Sequence, residues 1–99
     1  MEPRSLTVRE LGAYLSQRFS EDLLLRHLWI RGELSEIKRH SSGHTYFTLA
    51  DGECRLGGVL FRGDAFRQIT WPRVGDAVLV EGRVSVYEAR GIYQLYALR

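Results

Sequence analysis

The hydrophobic period of this chain changes once, at Leu28, and that change limits the fold more than any other feature. Before it, Val8, Leu11, Leu15 and Phe19, with Tyr14 beside them, recur at helical spacing. Thr7-Val8-Arg9-Glu10 has the form of a capping box, in which the threonine hydroxyl accepts the Glu10 amide and the glutamate reaches back. The spacing predicts a helix with one buried stripe. Ser20-Glu21-Asp22 predicts a second cap, opening a short turn through Leu23, Leu24 and Leu25. After Leu28 the period is two, and turn signals cut the chain into short strands.

Leu28, Ile30, Gly32 and Leu34 share one face of the first strand, with Trp29, Arg31, Glu33 and Ser35 on the other. Ile37 breaks that parity, so a bulge is expected near Ser35-Glu36, where a barrel needs strong curvature. Arg39-His40-Ser41-Ser42-Gly43 reads as a loop. The second strand runs from His44 to Leu49, with Thr45, Phe47 and Leu49 opposed to His44, Tyr46 and Thr48. Asp51-Gly52 marks a hairpin, and Cys54 to Phe61 is the third strand. A short helix is expected within Arg62 to Thr70, around Ala65, Phe66 and Ile69. Trp71 to Asp76 is a loop, Ala77 to Tyr87 the longest strand, Glu88 to Gly91 a turn, and Ile92 to Leu98 the last strand.

Five short strands avoid exposed edges by closing into a barrel. The order three strands, helix, two strands predicts an all-β protein, a five-stranded OB-fold β-barrel with an N-terminal helix and a short helix between strands 3 and 4. An SH3-like barrel is the competitor, and it usually lacks that inserted helix. Residues 1–27 read as a helical segment packed on the barrel and 28–99 as the barrel itself, one domain overall, as 99 residues allow.

Composition removes several function classes. Cys54 is the only cysteine, so neither a disulfide framework nor a zinc cluster can form within the chain. No run approaches the ~18 apolar residues of a membrane span, and Met1-Glu2-Pro3-Arg4 lacks a basic-then-apolar signal pattern. A soluble, cytoplasmic chain with no membrane partner is expected. His44 with Asp51, or Cys54 alone, would be the candidates for catalysis. Asp51 belongs to a hairpin turn, however, and Cys54 opens a strand with no histidine arranged beside it. No metal-ligand spacing and no glycine-rich phosphate loop opening a helix is present. The expectation is therefore no catalytic residue, no metal, no cofactor and no small-molecule substrate.

A binding reading rests on the outward faces. Thirteen of the fourteen basic residues are arginine, whose planar fork pairs with phosphate and stacks on bases. Single-strand binders set aromatic rings beside such cations. His44 and Tyr46 on the second strand, Arg31 on the first, and Lys38 and Arg39 leading into the first loop are the candidates. Arg55 and Phe61 join them if Leu56, Gly58 and Leu60 are core; the opposite parity, with Phe61 inside, is equally open to the sequence. Arg62 follows the third strand, and Arg90 lies at the tip of the last turn. Tyr87, Tyr93 and Tyr96 read as packing residues. The predicted partner is single-stranded DNA. The alternatives are an RNA-binding barrel, or an assembly module docking through Trp29 and the leucine-rich 23–28 segment.

Trp29-Ile30-Arg31-Gly32-Glu33-Leu34-Ser35 and Gly43-His44-Thr45-Tyr46-Phe47-Thr48-Leu49 resemble the N-terminal domain of the exodeoxyribonuclease VII large-subunit family. Val59-Leu60-Phe61-Arg62, Gly75 to Gly82 and Val86 to Leu95 continue the resemblance in order. It implies an OB-fold that captures single-stranded DNA, followed in the family by a catalytic domain and a helical region recruiting small subunits. The implied partners are the rest of a large subunit and those small subunits, and the catalytic motifs would lie outside this chain. The barrel is also similar to the anticodon-binding domain of class II aminoacyl-tRNA synthetases, where an aromatic at the place of Tyr46 stacks a base. Two positions depart from the nuclease family: Glu36 stands where asparagine is common, and Ala50 where lysine is. Both changes weaken phosphate attraction.

Overall fold

The computed structural model describes residues 3–99; Met1 and Glu2, which belong to the opening tetrapeptide and to the 1–27 segment, lie outside the described residues. The elements are α1 (Val8–Glu21), α2 (Leu23–Arg26), β1 (Leu28–Arg39), β2 (Thr45–Asp51), β3 (Cys54–Leu60), α3 (Arg62–Phe66), β4 (Ala77–Tyr87) and β5 (Ile92–Ala97). The strands close into a barrel in the order β1-β2-β3-β5-β4, with β3 and β5 parallel and the other pairs antiparallel. This is the five-stranded OB-fold arrangement with its N-terminal helix. Among the described residues no helix is long and apolar enough to cross a membrane.

Closure depends on β1. Its first half pairs with β4 and its second half with β2, and the register shifts between Leu34 and Glu36. The extra residue, Ser35, donates its hydroxyl to the Thr48 carbonyl at 3.1 Å. Such a bulge bends the strand enough for both partners to reach it. Alternation then fills the interior: Leu34, Leu49, Val84 and Leu95 form the buried core, with Leu28, Ile30, Ile37, Phe47 and Leu56 packed around it. Each fully buried side chain of this kind contributes about 1.5–3 kcal/mol. Gly52 and Gly91 carry the two tight hairpins at φ 60° and 64°, a backbone region that costs glycine little.

The N-terminal helix begins at the expected capping box. The Glu10 amide donates to Thr7 Oγ1 and the Thr7 amide to Glu10 Oε1, each at 3.0 Å. These bonds, the Thr7 amide first, hold the Glu10 carboxyl below its ordinary range. Asp22 caps α2 by accepting the Leu24 and Leu25 amides. The buried stripe expected on α1 does not form. Val8 is 90% exposed, and Leu11, Tyr14 and Leu15 are exposed as well; of the stripe, Phe19 joins the core. The five strands close a core of their own, so the helix has little left to cover. It rests on β4 and α2, with the Glu88 side chain against Gly12.

The inserted helix is shorter than expected. It ends at Phe66, and Phe66 and Ile69 both project into solvent. A single turn has one inward side, and here it is Ala65 that faces the barrel end, beside Arg39 and Trp71.

Candidate nucleic-acid interface

The register fixes which side chains share the outside of the barrel. Thr45, Phe47 and Leu49 of β2 lie opposite Leu60, Gly58 and Leu56 of β3. The Phe47 ring lies over Gly58 inside the barrel. The parity left open by the sequence is thus decided: Leu56, Gly58 and Leu60 point inward, and Arg55, Val59 and Phe61 outward. One outer row crosses the ladders as Lys38, Tyr46, Val59, Tyr96 and Arg83. Val59 is 2% exposed and forms the floor, whereas Tyr46 stands 46% exposed. Lys38 lies directly across the β1–β2 ladder from Tyr46, and the His40 ring meets Tyr46 edge-on at 6.3 Å.

The loop between β1 and β2 is tied to the start of α3. His44 Nδ1 accepts the Arg62 amide at 2.8 Å, and the Arg62 side chain lies across Gly43, whose φ of 94° suits a residue without a Cβ. His44 also meets Phe61 edge-on, at 5.3 Å between centroids. His44, Phe61 and Arg62 therefore form one unit bordering the row that holds Tyr46.

Four of the sequence-predicted residues are not brought to that row. Arg39 has inward parity at the end of β1, and its guanidinium sits 4.1 Å above the Trp71 ring. Arg31 faces outward but lies beyond the bulge, opposite Leu79 of β4. Arg55 folds back on the hairpin, donating from Nη1 to the Gly52 carbonyl at 2.7 Å and the Cys54 carbonyl at 3.1 Å. Arg90 is at the β4–β5 tip, whose Glu88 leans on α1. Glu36 lies on the same outer side as Lys38, opposite Thr48, so one carboxylate does border the row.

The fold also brings to this row Tyr96, which the sequence reads as a packing residue, and Arg83, which the sequence leaves aside. The Arg83 guanidinium lies 4.4 Å over the Tyr96 ring, and Tyr96 is 6.0 Å from Phe61. Counting outward from the Glu88–Gly91 turn would have set Arg83 opposite Tyr96. No local signal brings β5 beside β3.

Another outward carboxylate, Glu81, is buried. His27 Nε2 lies 2.5 Å from its Oε2, and Arg99 Nε donates to its Oε1 at 2.7 Å. The hydrogen bond from His27, and after it that from Arg99, keeps the carboxyl below its ordinary range. Trp29, opposite Glu81, is exposed, with the Arg99 guanidinium 5.9 Å from its ring.

A curved sheet with a half-exposed ring flanked by cations and histidines is a surface on which bases stack. Residues 6–99 match the family described as OB-fold nucleic acid binding domain. The chain belongs to that family. This OB-fold is 47% identical over 91 residues to the exodeoxyribonuclease 7 large subunit of Staphylococcus epidermidis, covering 92% of the chain and 20% of that relative. It thus spans about a fifth of the length of the curated relatives it matches. Among solved structures, the S. pombe Stn1–Ten1 complex aligns with a TM-score of 0.60 and 24% identity over 75% of this chain and 55% of the other. An SSB domain from Synechococcus aligns at 0.58 and 15% identity, over 80% of this chain and 97% of the other. At those identities the likeness is one of fold.

Proposed function

We propose that this OB-fold captures single-stranded DNA without sequence preference, as the binding module of an exodeoxyribonuclease VII large subunit. The observation that carries the reading is Tyr46. A phenol ring standing half exposed on the sheet, with Lys38 across the ladder, the His40 ring edge-on to it and the His44–Phe61–Arg62 unit beside the same row, offers a stacking face beside cations. Every base has a π-face, so stacking tolerates any sequence. In this reading residues 28–99 hold the strand, and the helical segment that precedes them, α1 and α2, rests on β4. In the same reading, hydrolysis and the recruitment of small subunits in the cytoplasm are assigned to the parent protein beyond this module, which aligns with a fifth of its relatives' length.

Fluorescence anisotropy of a labelled dT12 tests this at two salt concentrations. Tyr46→Ala should weaken binding by about 1–3 kcal/mol, roughly 5- to 150-fold. The logarithm of affinity should fall with the logarithm of salt by about 0.7 for each phosphate neutralised. Unchanged affinity in Tyr46→Ala, or affinity indifferent to salt, would remove Tyr46 or the phosphate contacts from the site. The same titration with rU12 reads the DNA-against-RNA preference.

A second reading is supported by one observation. The exposed Val8, Leu11, Tyr14, Leu15, Leu23 and Leu24 leave apolar surface on α1 and α2, a pattern found at assembly surfaces. Sedimentation velocity without DNA tests it: a sedimentation coefficient that rises with concentration favours assembly, and a constant one removes it.

A further inference from the structure

We infer that Phe61, Tyr96 and Arg83 form a second nucleotide subsite, onto which a DNA strand held at Tyr46 continues around the barrel. The inference rests on the single-strand reading above and extends it to a facet formed by β3, β5 and β4.

The register places this facet next to the first. Val59, the buried floor beside Tyr46, pairs in parallel with Tyr96, and Tyr96 pairs with Arg83. Because the sheet is closed, each step also turns around the barrel, so Tyr96 faces a different direction from Tyr46. Phe61 spans the turn. Its ring is 43% exposed, meets His44 on the loop side at 5.3 Å and Tyr96 on the other at 6.0 Å, the latter with planes tilted by 32°. The aromatic surface is thus continuous from the β1–β2 loop to β5. Neighbouring strands lie about 4.8 Å apart, so two ladder steps carry the path ~10 Å from Tyr46 to Tyr96.

The charges suit a phosphodiester. Phe61, Tyr96 and Arg83 line a cleft of about 140 Å³ that Arg26 of α2 also enters. Among the described residues neither arginine pairs with a carboxylate. Asp64 reaches the same cleft but is engaged by Arg67. A guanidinium lying over a phenol ring keeps its N–H edges free for phosphate oxygens, and the attraction of cation to ring holds it in place. The half-exposed Phe61 ring offers a face to a base, with the Arg83 guanidinium held over Tyr96 and Arg26 in the same cleft, and rings beside such cations are the elements that single-strand sites combine.

The test uses the whole chain with dT12, in wild type, Arg83→Gln, Tyr96→Leu and Tyr46→Ala. Leucine keeps much of the ring's bulk over Val59, and thermal unfolding checks that each variant folds. Arg83 is exposed, so Arg83→Gln keeps the test open should Tyr96→Leu unfold. The expected result is a loss of about 5-fold or more in dT12 affinity for Arg83→Gln and Tyr96→Leu. Arg83→Gln should also lower the salt slope by about 0.7. Backbone amides of Phe61, Arg83 and Tyr96 should shift on adding dT12. If both variants bind dT12 like wild type while Tyr46→Ala binds weakly, the second subsite is refuted and the first stands. If wild type itself does not bind dT12, both readings fall together.

Discussion

Replacing Gly58 with alanine puts a methyl group where the Phe47 ring now lies. A Cβ at Gly58 would meet Cζ of that ring first, with Cε2 at 2.6 Å and Cε1 at 3.0 Å. Carbon atoms pack best at about 3.5–4.0 Å, so the ring tip must withdraw by roughly 1–2 Å. It has room, because Phe47 lines a cavity of about 420 Å³ at the barrel end with Trp71 and Thr70. The cost is therefore a displaced side chain and lost contacts rather than a broken sheet, about 1–3 kcal/mol. For a domain of this length that corresponds to a melting temperature roughly 5–20 °C lower. Gly57 is the internal control. It faces outward, and among the described residues nothing lies within 4 Å of where a Cβ would stand, so alanine there should be neutral or slightly stabilising. Thermal unfolding followed by circular dichroism measures both. Phe47→Leu in the Gly58→Ala background should recover part of the loss, with a coupling above about 0.5 kcal/mol. Equal melting temperatures for Gly58→Ala and wild type, or an equal loss at Gly57, would refute the inward parity of Gly58.

Two further outcomes follow from charge. The Glu81 carboxyl is held below its ordinary range by His27 and Arg99, so its stabilising contribution is present above the unfolded-state value and lost as pH falls through the folded one. The melting-temperature gap between wild type and Glu81→Gln should be widest near neutral pH and close on acidification below about pH 4; a gap constant from pH 7 to pH 3 contradicts the assignment. Glu36 borders the outer row beside Lys38, so Glu36→Asn should tighten dT12 binding by about 1.5- to 5-fold at low salt. A weaker complex in the anisotropy titration would show that Glu36 supports the site.

The strands, their order and most of their facing were legible because each depends on local chemistry. Thr45, Phe47 and Leu49 alternate with Tyr46 and Thr48, and that alternation alone puts the tyrosine outside. The parity break at Ile37 gave the bulge, and Asp51-Gly52 the hairpin. The capping box was legible for the same reason, since both partners lie within four residues. Helical periodicity misled at α1, because an apolar stripe shows what a helix is able to bury and not whether a surface exists to receive it.

Within the candidate site the same division holds. Tyr46 and His44 followed from the alternation of the second strand, and Lys38 from its place leading into the first loop. Arg39 was counted with them because charge in sequence carries no direction, and only the folded chain turns it onto Trp71. The place of Phe61 between His44 and Tyr96 was not legible either. It depends on β3 lying parallel to β5, a pairing of residues more than thirty positions apart, such as Val59 with Tyr96. Sequence determined the two alternating faces of each strand, since the pleat has a fixed period of two, but which face of β3 turns outward was settled by its pairing with β2. Which outward side chains become neighbours was decided by barrel closure, because that depends on long-range pairing, which no local pattern encodes.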